Sequence, residues 1–250
     1  MTRPQILNSM GERLDTLVEG KLDSDTTVIF VHGFATSKHE TNRYFDDIAF
    51  GLKDNFRIVR FDFSGCGESE GNLTEMDYDK QAKDLGKIIS YVKEKWPGRI
   101  YLIAQSMGTF VTAHLNPQGI EKAVFTGIPN SNVEYIIERL IERFGSRPGA
   151  SIDFEGISIL PRSSGMLQKI GPSFWRVLRL FQPAASVTKF SQNTKLLIIH
   201  PKQDDIVGAE YLSQYAKIPN VTVKWLNGDH NFKNIEDRKK LIEEIKSFFT

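Results

Sequence analysis

Apolar positions along the chain follow two different periods. Six short runs are mostly apolar and of strand length: 27–31, 58–61, 100–104, 123–125, 196–199 and 221–225. Runs that do not alternate in and out predict strands buried on both faces, as in a parallel sheet covered by helices. Other stretches repeat every three or four residues. Ala82, Leu85, Ile88, Ile89, Val92 and Trp96 predict a helix that Pro97-Gly98 ends. Ile235, Leu241, Ile242, Ile245, Phe248 and Phe249 predict a C-terminal one. Ahead of the first run, 5–8 and 13–18 flank Met10-Gly11, which predicts a hairpin. Strand–helix alternation of this kind predicts an α/β fold, a mostly parallel central sheet with helices on both faces.

One segment breaks the rhythm. Between Pro129 and Lys195 lie about 65 residues, far more than a plain crossover helix needs. Val133, Ile136, Ile137, Leu140, Ile141 and Phe144 form an apolar stripe, with Glu134, Glu138, Arg139, Glu142 and Arg143 on the opposite face. Ile152 and Phe154, then Ile157 and Ile159, alternate around Glu155-Gly156 and predict a second hairpin. Residues 173–181 predict a helix N-capped by Ser173. The organisation expected is a core of 1–129 and 195–250 with 130–194 inserted as a cap or lid. The stripe has two readings: a helix packed on its own domain, or a lid face lining a pocket.

Candidate chemistry centres on Ala104-Gln105-Ser106-Met107-Gly108, which follows a buried run and precedes a helical stretch. A serine on such a sharp strand-to-helix turn projects its hydroxyl at the carboxyl end of the sheet. Small residues are needed two positions to either side, because strand and helix backbones approach closely. A hydroxyl is a weak nucleophile at neutral pH and needs a base, which needs an orienting carboxylate. His230, in Asn227-Gly228-Asp229-His230-Asn231-Phe232 after the last run, is the candidate base. Asp204 and Asp205 follow the preceding run and are the candidate acids. Val31-His32-Gly33-Phe34 follows the first long run, so the backbone N–H of Phe34, with that of Met107, is a candidate oxyanion hole.

Composition removes other function classes. The 250 residues carry 32 Lys plus Arg against 31 Asp plus Glu, a formal net charge of +1. That balance lacks the basic excess of a general nucleic-acid binder. No apolar run approaches the roughly 18 residues of a membrane span, and 1–5 lack a signal peptide's apolar core. A cytoplasmic protein is expected. Cys66, the single cysteine, excludes an internal disulfide. No His, Cys and carboxylate cluster has zinc-ligand spacing, so no metal is expected.

Together, Val31-His32-Gly33-Phe34, the 60–69 loop RFDFSGCGES, Gln105-Ser106-Met107-Gly108, Asp204-Asp205-Ile206-Val207 and Gly228-Asp229-His230-Asn231-Phe232 resemble the α/β-hydrolase superfamily in order and spacing. The resemblance runs from about Gln5 to the C-terminus and is nearest to small serine esterases of the cinnamoyl/feruloyl-esterase and monoacylglycerol-lipase type. It implies Ser106 as nucleophile, His230 as base and then acid, Asp204 as orienting acid, and the Phe34 and Met107 amides as oxyanion donors. Asp204 is preferred to Asp205 because the family's acid stands three positions before a valine, here Val207. Ala104 stands where the family has glycine, and Gln105 where it often has histidine. The implied reaction is hydrolysis of a small-molecule carboxylic ester through an acyl-enzyme, without a cofactor. Thioester, lipid and peptide bonds are served by the same groups, and a non-catalytic binding module is the reading outside enzymes. His32 is expected to brace neighbouring loops, His200 to pack beside the acid loop, and His39 and His114 to be surface or satisfied histidines. Cys66, between Gly65 and Gly67, is expected near the active-site face, within reach of thiol reagents.

Overall fold

A computed structural model of the chain describes residues 1–162, 164–208 and 212–250, the Leu212 side chain aside. Its main sheet has eight strands: β1 (Gln5–Leu7), β2 (Arg13–Gly20), β3 (Thr26–Val31), β4 (Arg57–Phe61), β5 (Arg99–Gln105), β6 (Lys122–Thr126), β9 (Lys195–Pro201) and β10 (Val221–Leu226). They lie in the order β1-β2-β4-β3-β5-β6-β9-β10. The β1–β2 and β2–β4 pairs are antiparallel and every other pair is parallel. This is the α/β-hydrolase arrangement.

Two apolar layers sandwich the sheet, which explains the mostly apolar runs. Val28 and Phe30 of β3 pack with α1 (Tyr44–Leu52) and α7 (Ile235–Phe249) on one face. Ile29 and Val31, pointing oppositely, pack with α2 (Tyr78–Lys95) and α3 (Met107–Leu115) on the other. Helix starts are set locally. The Asp77 carboxylate accepts from the Lys80 N–H and opens α2, and Asn234 accepts from the Glu236 and Asp237 N–H groups at the head of α7.

Between β6 and β9 stand α4 (Val133–Gly145), the two-stranded antiparallel sheet of β7 (Ser158–Pro161) and β8 (Leu167–Ile170), α5 (Pro172–Leu180) and α6 (Pro183–Ser191). Three expectations are corrected here. The hairpin expected around Glu155-Gly156 is reduced to a single Ser151–Ile159 bridge. The Asp153 side chain accepts from the Glu155 and Gly156 N–H groups and so competes with a strand ladder. The paired strands are instead β7 and β8. Ser173 does not cap α5: Gly171 is the cap residue, with no side-chain bond, and Pro172 opens the helix with its preset φ. β10 is not buried on both faces. It is an edge strand with one partner, so Thr222, Lys224 and Trp225 are exposed. Helix α6 had no predicted counterpart. It carries Val187 and Phe190 into the main core beside α3.

Candidate active site

The turn from β5 into α3 is sharp enough to force a residue into unfavourable backbone. Ser106 holds φ 52° and ψ −125°, a region that costs a non-glycine residue of order 1–3 kcal/mol and is typical of functional sites. Its N–H is tied to the Thr126 carbonyl at 2.9 Å. Tight passage explains the neighbouring residues. A Cβ on Gly108 would lie 2.5 Å from the carbonyl oxygens of Val31 and His32, so glycine is required there. Ala104 is wholly buried inside the sheet, and its methyl is accommodated, which explains why the first small position tolerates alanine. Met107 opens α3, so its N–H is among those with no partner inside the helix, at the helix's positive end.

The second half of the site lies beyond β9 and β10. His230 Nδ1 stands 2.7 Å from Asp204 Oδ2, and both side chains are buried. The other Asp204 oxygen accepts from the Ile206 and Val207 N–H groups, each at 3.0 Å. Burial pushes the Asp204 carboxyl up, but His230 and the Val207 N–H outweigh it and hold the group below its ordinary range. A carboxylate so fixed keeps the proton on Nδ1 and leaves Nε2 as an acceptor. Asp205 is exposed, and among the described residues only its backbone carbonyl is engaged, by Arg139.

Two residues that local sequence reading did not single out hold this histidine. Gln105 Nε2 donates to the His230 carbonyl at 3.0 Å. Gly127, at φ +53°, lies so close that a Cβ there would meet His230 Cε1 at 2.9 Å. The signal for Gln105 was its departure from the expected histidine. Gly127 carried none, because its neighbour is about a hundred residues away.

The loop after β3 closes the site from the opposite side. A Cβ on Gly33 would reach Ser106 Cβ at 3.1 Å, so this glycine lets the loop lie against the elbow. Ala35 takes φ 47°. Residues of the inserted segment grip the loop's carbonyls: Arg162 donates to the Phe34 and Ala35 oxygens at 2.7 Å each, and Gln168 to Ala35 at 2.8 Å. Glu40 accepts from the Gly33 N–H and the Thr36 hydroxyl on the inner side.

Ser106 and His230 line one cavity of about 110 Å³, together with Gly33, Phe34 and Met107. Its remaining wall comes largely from the inserted segment. Ile136, Leu140 and Phe144 of the α4 stripe and Phe174 of α5 face it, so part of the stripe is pocket lining, while Ile137 is buried in the core. Arg139, Arg143 and Arg162 line it as well.

The remaining candidates separate from the site. His32 is wholly buried. Its Nδ1–H donates to the Gly33 carbonyl and its Nε2 accepts from the Phe63 N–H, at 2.9 and 3.0 Å, so it braces two loops. Burial pushes its pKa down and keeps it neutral. His200 packs edge-on against Trp225, with its pKa lowered by burial to about 4. His39 and His114 pair with Asp46 and Asp79. Cys66 corrects an expectation: its thiol is buried and pushed up to about 12 by that burial, so it is a poor handle for thiol reagents at neutral pH. Asp15, Asp62 and Glu68 bring carboxylate oxygens within 4.8 Å of one another, but the Lys38 ammonium bonds all three, at 2.8, 2.7 and 3.0 Å.

Known proteins share this fold. A family model described as alpha/beta hydrolase fold matches residues 26–148. The structure of Est1E from Butyrivibrio proteoclasticus with bound ferulic acid superposes with a TM-score of 0.79 at 19% identity, over 98% of each chain. The esterase domain of a Rhodothermus marinus protein gives 0.72 at 20% identity, over 98% of this chain and 96% of that one. The mitochondrial palmitoyl-protein thioesterase ABHD10 of Bos taurus is 24% identical, over 98% of this chain and 78% of its own. Among the described residues no helix is long and apolar enough to cross a membrane. With its strand order, its strained elbow and these matches, the chain has the α/β-hydrolase fold.

Proposed function

We propose that the protein is a serine hydrolase of carboxylic esters acting on a small-molecule substrate. His230 Nε2 takes the proton from Ser106 as its Oγ attacks the ester carbonyl carbon. The Phe34 and Met107 N–H groups receive the oxyanion. His230 then gives the proton to the leaving alcohol oxygen as the C–O bond breaks, leaving an acyl-enzyme. A water, deprotonated by His230, attacks that acyl carbon, and Ser106 departs with the proton. Asp204 orients the imidazole and stabilises its charged form without itself being protonated. The core is assigned to 1–129 and 195–250, and the segment 130–194 serves as the cap that shapes the pocket.

The observation that carries this reading is the buried His230–Asp204 pair beside a strained serine on one largely apolar cavity. Ser106→Ala assayed on short p-nitrophenyl esters tests it. Turnover is expected to fall by about 10⁴-fold or more; undiminished turnover overturns the mechanism. A fluorophosphonate probe should label wild type and not the variant, and failure to label folded wild type favours a binding module. Thioester cleavage is the second reading, favoured by the bovine thioesterase relative, and acyl-thioester substrates in the same assay decide between the two.

A further inference from the structure

The cavity beside Ser106 is apolar over most of its wall, yet three arginines line it. Arg139 and Arg143 come from α4, and Arg162 comes from the loop after β7. Glu40 is the only carboxylate lining it among the described residues, and it is already engaged by the Gly33 N–H and the Thr36 hydroxyl. Arg143 forms no ion pair or hydrogen bond among the described residues; its guanidinium lies over the Phe144 ring at 5.4 Å. Arg162 bonds two backbone carbonyls and no carboxylate. Arg139 pairs with Glu142 and donates to the Asp205 carbonyl, and among the described residues its Nε is buried without a partner.

An α/β core has no need of such a cluster. Cations out of water and beside one another are costly unless paired. The strain is visible in their acidity. Burial lowers the Arg143 pKa, and Arg147 lowers it further. Burial and then Arg143 push Arg162 down to about 10. Both arginines also line a wider outer cleft that adds Arg147 and Lys169, so the approach to the cavity is cationic too. An incoming anion would be drawn along this path. Planar guanidinium forks match the paired oxygens of carboxylate and phosphate. Phe34, Leu140 and Phe144 offer an apolar body its place beside them.

We propose that the substrate is an anionic ester, in which an apolar chain carries a carboxylate or phosphate group held by Arg143 and Arg162 with Arg139 beside them. This rests on the hydrolase reading for the bond that is cut, but the anion site can be tested without turnover. Calorimetry at fixed ionic strength compares phenylpentanoate, phenylbutyl phosphate and the neutral phenylpentanamide on wild type, Arg143→Gln and Arg162→Gln. Wild type should bind at least one anion about tenfold or more tightly than the amide, as charge-assisted bonds require. In Arg143→Gln that preference should fall to within about threefold. The tighter of the two anions identifies the group. Equal binding of the amide and both anions, no binding of any of them, or a preference that survives in both variants overturns the proposal. Anion preference in a protein that cleaves no ester would refute the hydrolase reading alone.

Discussion

At the scale of single residues, the acid is the point where neighbours differ most. Asp204 receives His230 and two backbone N–H groups, whereas adjacent Asp205 points its carboxylate to solvent. Asp204→Asn removes the group that holds the imidazole in its working tautomer. The expected loss in kcat is about 10⁴-fold, while Asp205→Asn should retain wild-type turnover within a few-fold. A p-nitrophenyl acetate assay of the two variants side by side measures this, and the reverse result would transfer the acid role. The elbow at Ser106 was legible from its motif, because an elbow is a local backbone event, and chain order proposed His230 as its partner. The preference for Asp204 over Asp205 rested on resemblance alone, whereas the contact of Asp204 with His230 is a matter of tertiary structure. The buried state of Cys66 was not legible at all, since flanking glycines say nothing about what packs over a loop.

Elements set how accurately those residues meet. The end of β6 passes directly under the imidazole, and Gly127 is the residue that makes room for it. Gly127→Ala adds a Cβ within 2.9 Å of His230 Cε1, at a positive φ that alanine rarely adopts. The ring must shift. Misplacement of a catalytic group by about 1 Å costs on the order of 10²-fold, so kcat should fall by that order while a thermal melt still shows one cooperative transition. Unchanged kcat would mean that the histidine is held more loosely than this contact implies. Strand and helix periods revealed the six main strands and α2 and α7 because each has an apolar face against the sheet. The inserted segment was harder to read. Asp153 diverts a would-be hairpin into a side-chain-bonded turn, and β7 pairs instead with a strand that carries little alternation of its own.

Across the whole molecule, Lys38 ties the β1–β2 side of the sheet to the loops after β3 and β4. Its ammonium is buried between Asp15, Asp62 and Glu68. Burial pushes Asp15 up, but Lys38, Arg3 and Arg13 hold it below its ordinary value of 3.8. Burial likewise opposes the charge on Lys38, yet Asp15 and Asp62 raise its pKa above the ordinary 10.5. The depressed carboxyl adds stability that is present above 3.8 and lost as pH falls through its folded value. The raised ammonium adds stability that is full below 10.5 and lost as pH rises through its folded value. The cluster therefore supports the fold across the intervening range. Lys38→Met leaves buried carboxylates without their cation and should cost about 3–5 kcal/mol at neutral pH, read from urea unfolding. The deficit should shrink as pH falls through the carboxylate range, and one that is constant with pH would point to lost packing instead.

By itself the sequence determined the sheet, its helical layers and the order in which the candidate residues Ser106, Asp204 and His230 follow one another. These are written in periods and turns that each act over a few residues. Tertiary structure alone decided what surrounds the serine. Gln105 meets His230 from 125 residues away, and Arg162 reaches the Phe34 carbonyl from 128. The α4 stripe faces the cavity with two arginines of the same helix beside it. No local pattern encodes such meetings, because they arise only when segments far apart in the chain converge at the carboxyl end of the sheet.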